Sequence, residues 1–148
     1  MVEVVIVASI ITVSMLAAMA VAQKSIFVSR QAVHVAEASF LLEEGAEAVR
    51  ILRDNAWSNI SNLTAGSLYY PLFFGGTWTL SSTPNTVGSF TRTVSIANVN
   101  RDDSTDDISA SGTDDPGTKL VTITVSWNET GTAVSKTLSF YILDIFSS

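Results

Sequence analysis

Residues 1–23 read MVEVVIVASIITVSMLAAMAVAQ, and this stretch decides the fold. Its one charge is Glu3; residues 4–22 are 19 uncharged positions, interrupted only by Ser9, Thr12 and Ser14, and the first Gly or Pro is Gly45. The segment is apolar all round, so an amphipathic face does not account for it. Its length matches the roughly 20 residues that span a bilayer. A secretory signal peptide wants a basic start and a small-residue cleavage site; here the start is acidic and no helix breaker sets up a cut. A membrane anchor and a helix that packs against copies of itself are the other two readings.

The helical pattern continues beyond residue 23. Residues 24–56 are rich in Ala, Glu, Arg and Leu, with Val35, Ala38, Leu42, Gly45, Val49, Leu52 and Ala56 recurring every three or four positions. That is one apolar stripe of an amphipathic helix. Glu43, Glu44, Glu47, Arg50, Arg53 and Asp54 occupy the other side, and Asp54-Asn-Ala-Trp-Ser-Asn supplies turn formers that end it. Joined, the two halves make a helix of about 54 residues and roughly 80 Å. The remaining ~90 residues fold to a radius of gyration of roughly 12 Å, too little to cover such a rod. About fifteen apolar side chains at roughly 1.5–3 kcal/mol each then require shelter in lipid or among identical helices.

After Gly66 the composition turns to Gly, Pro, Ser, Thr, Asn, aromatic and β-branched residues. Residues 77–82, 90–99, 119–127 and 134–143 are strand candidates, with Val94, Ile96, Val121, Ile123, Val125, Trp127, Leu138, Phe140 and Ile142 facing inward. Asn128-Glu-Thr-Gly131 is a hairpin loop with glycine at a positive-φ site. Alternation of this kind marks an antiparallel sheet with one wet face, and its dry face needs the stripe on residues 35–56. The expected fold is α+β, a long amino-terminal helix whose second half packs on an antiparallel β-sheet head. It divides into residues 1–23 (apolar helix), 24–57 (amphipathic helix) and 58–148 (head, with an acidic loop at 100–118).

Composition narrows the function. The chain has 148 residues, a net charge of −6, 15% charged residues, no cysteine and one histidine, His34. Disulfides, thiolate metal sites and a cysteine nucleophile are excluded, and a basic nucleic-acid face is not expected. No phosphate loop, metal triad or nucleophile motif occurs, so the chain is read as a non-enzyme without catalytic residues. Asp102, Asp103, Asp106, Asp107, Asp114 and Asp115 are a dense set of hard oxygen ligands suited to Ca²⁺. The spacing is not that of an EF-hand, and a solvated acidic loop is the competing reading. No other cofactor is implied. Asn59, Asn62 and Asn128 each begin an Asn-X-Ser/Thr triplet, the short N-glycosylation pattern.

The chain resembles bacterial type IV pilins. The resemblance rests on Val2-Glu3-Val4-Val5-Ile6-Val7-Ala8, continued through Ile10-Ile11 to Leu16-Ala17-Ala18, with a β head on the amphipathic half. Residues 43–57 and 111–127 are also similar to pilin-type proteins of small-genome candidate-phyla (Patescibacteria-like) bacteria. The resemblance implies a major pilin of a surface filament serving adhesion, motility or DNA uptake. A minor pilin or secretion pseudopilin is the alternative; a monomeric membrane-anchored extracellular binding domain is the alternative from another class. It implies the cytoplasmic membrane as the location before assembly, the cell surface after it, and a homo-oligomeric helical filament. The implied partners are an assembly machine and a prepilin peptidase. It assigns assembly to Glu3, paired with a neighbour's amino terminus, here Met1, and core packing to Val4, Val5, Ile6, Val7, Ile10, Ile11 and Leu16. Lys24 and Arg30, just past the apolar run, bridge to an adjacent subunit on one reading and mark the membrane boundary on the other. The family glutamate sits slightly further from the mature end, the basic leader that the peptidase removes is missing, and no proline precedes Pro71. The chain is therefore read as mature or trimmed.

Overall fold

A computed structural model describes residues 1–145. A single α-helix, α1, runs over Val2–Asn55; a one-turn helix, α2 (Ser58–Ser61), follows. The strands are β1 (Leu68–Phe74), β2 (Thr77–Ser81), β3 (Thr91–Arg101), β4 (Ile108–Ser109), β5 (Thr113–Glu129) and β6 (Thr132–Leu143). They form one antiparallel sheet in the order β2-β1-β3-β5-β6, with β4 pairing β3. The α+β class, the long helix and the antiparallel sheet are thus as the sequence indicates. The chain divides into two compact units, Met1–Glu37 and Ala38–Ser148.

Within the second unit, Ala38, Leu42, Gly45, Ala46, Ala48, Val49 and Leu52 are the buried residues of α1. They share the core with Val94, Ile96, Val121, Ile123, Val125, Trp127 and Ile142, each less than 5% exposed. The expected stripe is present but broader, because Ala46 and Ala48 are small enough to lie against the sheet. Ala56 is exposed, one position past the helix end. At Gly45 helix and sheet approach closely: a Cβ there would meet Ile123 Cγ2 at 3.1 Å and Arg92 Cδ at 3.2 Å. Asn59 Nδ2 donates to Leu52 O at 3.0 Å, satisfying one of the last helix carbonyls. This turn also places Ile60, fully buried, against the core.

Arg92 alternates with Val94 and Ile96 and so points into the core, where it is 2% exposed. Its Nη1 donates to Glu44 Oε2 at 2.6 Å and to Leu41 O at 3.3 Å, and its guanidinium lies over the Trp78 ring at 5.4 Å. A buried cation needs such partners. Arg92 therefore ties helix, sheet and the β1–β2 hairpin together.

Two expectations are corrected, and strand β1 is added to those the sequence indicates. Residues 68–74 form a strand although Pro71 lies within it; β1 pairs with β3 only at Leu68 and Tyr69, and beyond that point β2 is its one neighbour. A strand with one open side tolerates a residue that cannot donate. Leu138 is 37% exposed and Phe140 half-buried, because β6 is an edge strand and the helix covers the centre of the sheet. Residues 100–118 are not all loop: β5 begins at Thr113, and Asn100 and Arg101 pair with Asp114 and Thr113.

Candidate functional site

The apolar half of α1 is the first candidate. Residues 1–26 are exposed throughout, and the most apolar window of the helix has none of its residues buried. Val4, Val5, Ile6, Val7, Ile10, Ile11 and Leu16 are each more than half exposed. By length and composition this is a helix able to cross a bilayer. Its polar interruptions satisfy themselves: Ser9 Oγ donates to Val5 O at 2.7 Å, Thr12 Oγ1 to Ala8 O at 2.7 Å and Ser14 Oγ to Ile10 O at 2.8 Å. Each hydroxyl returns to the carbonyl four residues back, so none asks for water. In hydrocarbon or in a dry bundle this removes a cost of a kcal/mol or more per group.

Glu3 lies in the first turn, where the helix dipole favours a carboxylate. It borders a shallow apolar groove lined by Val4, Val7, Ala8 and Ile11. Met1, beside it, is fully exposed. Lys24 closes the apolar run with its Nζ 5.2 Å from the Phe27 ring centroid, and Arg30 is exposed a little under two turns further on. The assembly residues read from the sequence therefore bracket the apolar surface, with Glu3 at one end and the two cations at the other.

The acidic loop is the second candidate, and it is organised by a residue outside the aspartate set. Arg101 Nε donates to Asp115 Oδ2 at 2.6 Å, Nη1 to Asp106 O at 2.8 Å and Nη2 to Thr118 Oγ1 at 3.3 Å. Asp102 Oδ1 accepts the N–H groups of Ser104 (2.9 Å) and Thr105 (3.1 Å) together with the Ser104 hydroxyl. Asp103 Oδ1 accepts the Thr113 hydroxyl at 2.6 Å, and Asp115 Oδ1 the Gly117 N–H at 2.9 Å. Asp106 sits at φ 60°, and Gly112 at φ 118° passes so close that a Cβ would overlap Arg101 O. Ser104 first, then the two backbone N–H groups, holds Asp102 below the usual carboxylate range. Asp115 is lowered by the Thr118 hydroxyl first and by Arg101 second; hydrogen bonding to Asp115 in turn raises Arg101. Among the described residues no three carboxylate or imidazole groups converge as a metal would need. Asp102, Asp103 and Asp115 give oxygens to internal donors. The sequence signal for this hub was the single arginine beside six aspartates.

The three glycosylation-pattern asparagines have local roles. Asn59 caps α1, Asn62 ends α2, and Asn128 Oδ1 accepts the Gly131 N–H at 2.8 Å in the β5–β6 turn. That turn carries Thr130 at φ 49° and Gly131 at φ 87°, the positive-φ glycine the sequence indicates. Comparison with protein-family models, curated proteins and solved structures finds no match for this chain.

Proposed function

We propose that this chain is the structural subunit of a type IV pilus-like filament, polymerising through residues 1–23. The observation that carries the reading is the apolar half of α1: long enough to span a bilayer, wholly exposed, and with its three hydroxyl interruptions satisfied internally. Such a surface is stable in lipid or against copies of itself. Moving from one to the other exchanges apolar contacts for apolar contacts, so close packing decides the balance. Ala8, Ser9, Ala17, Ala18, Ala20 and Ala22 let neighbouring backbones approach. Before assembly the helix sits in the cytoplasmic membrane; after it, the head is displayed at the cell surface.

Glu3 supplies register. An unpaired carboxylate in a dry bundle costs several kcal/mol. Pairing with the positively charged amino terminus of a neighbouring copy removes that cost at one axial offset and at no other. On this reading Lys24 and Arg30, where the apolar surface ends, bridge to acidic groups of an adjacent copy or mark the membrane boundary.

The test is electron microscopy of fibres sheared from the producing cell, with mass spectrometry of their subunit. Fibres composed of this chain are expected; fibres in which it occurs only at trace level identify a minor subunit, and none at all removes the proposal. Glu3→Ala separates filament from anchor. An anchor inserts and functions as before, whereas a filament subunit inserts and fails to assemble.

A further inference from the structure

One of the chain's three prolines, Pro116, follows an aspartate, Asp115. An Asp–Pro bond is the peptide bond that acid breaks most readily. The side-chain carboxylate closes on the backbone carbonyl carbon of its own residue. The proline nitrogen, a tertiary amide and more basic than other amides, takes a proton and leaves as a secondary amine. One water then opens the five-membered cyclic anhydride to two carboxyl groups. Ring closure requires a carboxylate oxygen free to reach its own carbonyl.

In this fold neither oxygen is free. Asp114 pairs with Asn100 and Lys119 with Asn98, so the register jumps and residues 115–118 bulge from the β3 ladder. Arg101 holds them instead. Its Nε donates to Asp115 Oδ2 at 2.6 Å and its Nη2 to Thr118 Oγ1 at 3.3 Å, gripping the chain on both sides of Pro116. Asp115 Oδ1 accepts the Gly117 N–H at 2.9 Å, and a Cβ on Gly117 would meet that oxygen at 3.3 Å. The Asp115 side chain is 19% exposed. Asp102, Asp103, Asp106 and Asp114 line the same cleft, and Asp144 donates its N–H to Gly117 O from the β6 side. Among these groups Arg101 is the one cation.

We infer that Arg101 guards the Asp115–Pro116 bond against acid scission, by clamping the carboxylate that would cut it. The inference is independent of the filament reading. Scission would separate residues 1–115 from 116–148. The second piece would carry all of β6 and β5 from Pro116 onward, and β5 joins β3 to β6.

The experiment holds the detergent-solubilised full chain at an acid pH where tryptophan fluorescence shows the head folded. Fragments ending at Asp115 and beginning at Pro116 are followed over time by mass spectrometry. The same is done in urea, and with Arg101→Gln. Misplacing a reacting group costs up to about 10²-fold in rate, so the folded parent should cleave at least about tenfold more slowly than the unfolded one. Arg101→Gln should recover most of that difference. Equal rates for folded and unfolded parent overturn the inference. So does an acceleration in Arg101→Gln shared equally by the loop's other aspartyl bonds, which means general loosening. Arg101→Lys keeps the charge and loses the fork, and serves where Arg101→Gln is not folded at that pH. It should cleave faster than the parent, and a rate equal to the parent's overturns the clamp.

Discussion

The two halves of α1 share one backbone geometry and solve opposite problems. Over residues 4–22 every face is apolar and exposed, and the three hydroxyls bond their own helix. Over residues 38–52 apolar and charged faces separate, and Ala38, Leu42, Gly45, Val49 and Leu52 are buried against a sheet. The difference lies in where water is excluded. The second half finds its shelter within its own chain. The first half stays exposed along its length and is, by length and composition, able to cross a bilayer. Folding of the head and placement of the apolar segment are therefore separable properties, and substitutions should divide them.

The largest effect is expected in the head. Ile123 is fully buried under Gly45, and Ile123→Ala should cost about 2–5 kcal/mol of head stability. Trp57, Trp78 and Trp127 all lie in the second unit, so tryptophan fluorescence during denaturation of the detergent-solubilised full chain reports it. Membrane partitioning should be unchanged. The reciprocal change is Leu16→Asp, which should weaken insertion by about 2.5–3.5 kcal/mol and leave the fluorescence transition within about 0.5 kcal/mol. A single variant that moves both readouts would break the separation.

A smaller effect sharpens the same contrast at the helix–sheet contact. Gly45→Ala gains about 1 kcal/mol of helix propensity but forces a methyl against Ile123 Cγ2 and Arg92 Cδ. Strain of about 1–3 kcal/mol should outweigh the gain, and the denaturation midpoint should fall slightly. A rise would mean that the contact relaxes freely.

The smallest effect concerns the Arg101 hub. Asp102 and Asp115 have pKa values lowered in the folded chain. Between the folded and unfolded values the unfolded chain binds more protons, so the stabilisation is complete above about pH 4. It is lost as the pH falls through the depressed values. Amide exchange within residues 102–112 should accelerate at acid pH before exchange in the centres of β3 and β5 does. Arg101→Gln should bring that acceleration to higher pH, because Asp115 loses a donor that lowers it; equal exchange in both chains would remove the hub.

Much of this was legible in residue order. The helix end near Asn55, strands β2, β3, β5 and β6, and the Asn128–Gly131 turn follow from periodicity and turn chemistry. β1 was hidden because Pro71 argues against a strand unless one side of that strand is known to be open. Leu138 and Phe140 alternate correctly, yet which strand lies at the edge is a property of sheet order and not of any one segment. Arg92 carried a usable signal, a charge in phase with Val94 and Ile96, but its partners Leu41 and Glu44 lie about fifty residues earlier. The loop shows the same limit: six aspartates are conspicuous, whereas their arrangement around Arg101 depends on β3 and β5 meeting there.

By itself, then, residue order determined the long helix, its change from uniform to one-sided hydrophobicity, and an acidic head of alternating strands, because these depend on local periodicity and on charge alone. Strand order, the burial of Arg92 and the Arg101 hub were decided only in three dimensions. Each depends on which distant segments become neighbours, and the burial of a side chain is a property of those neighbours.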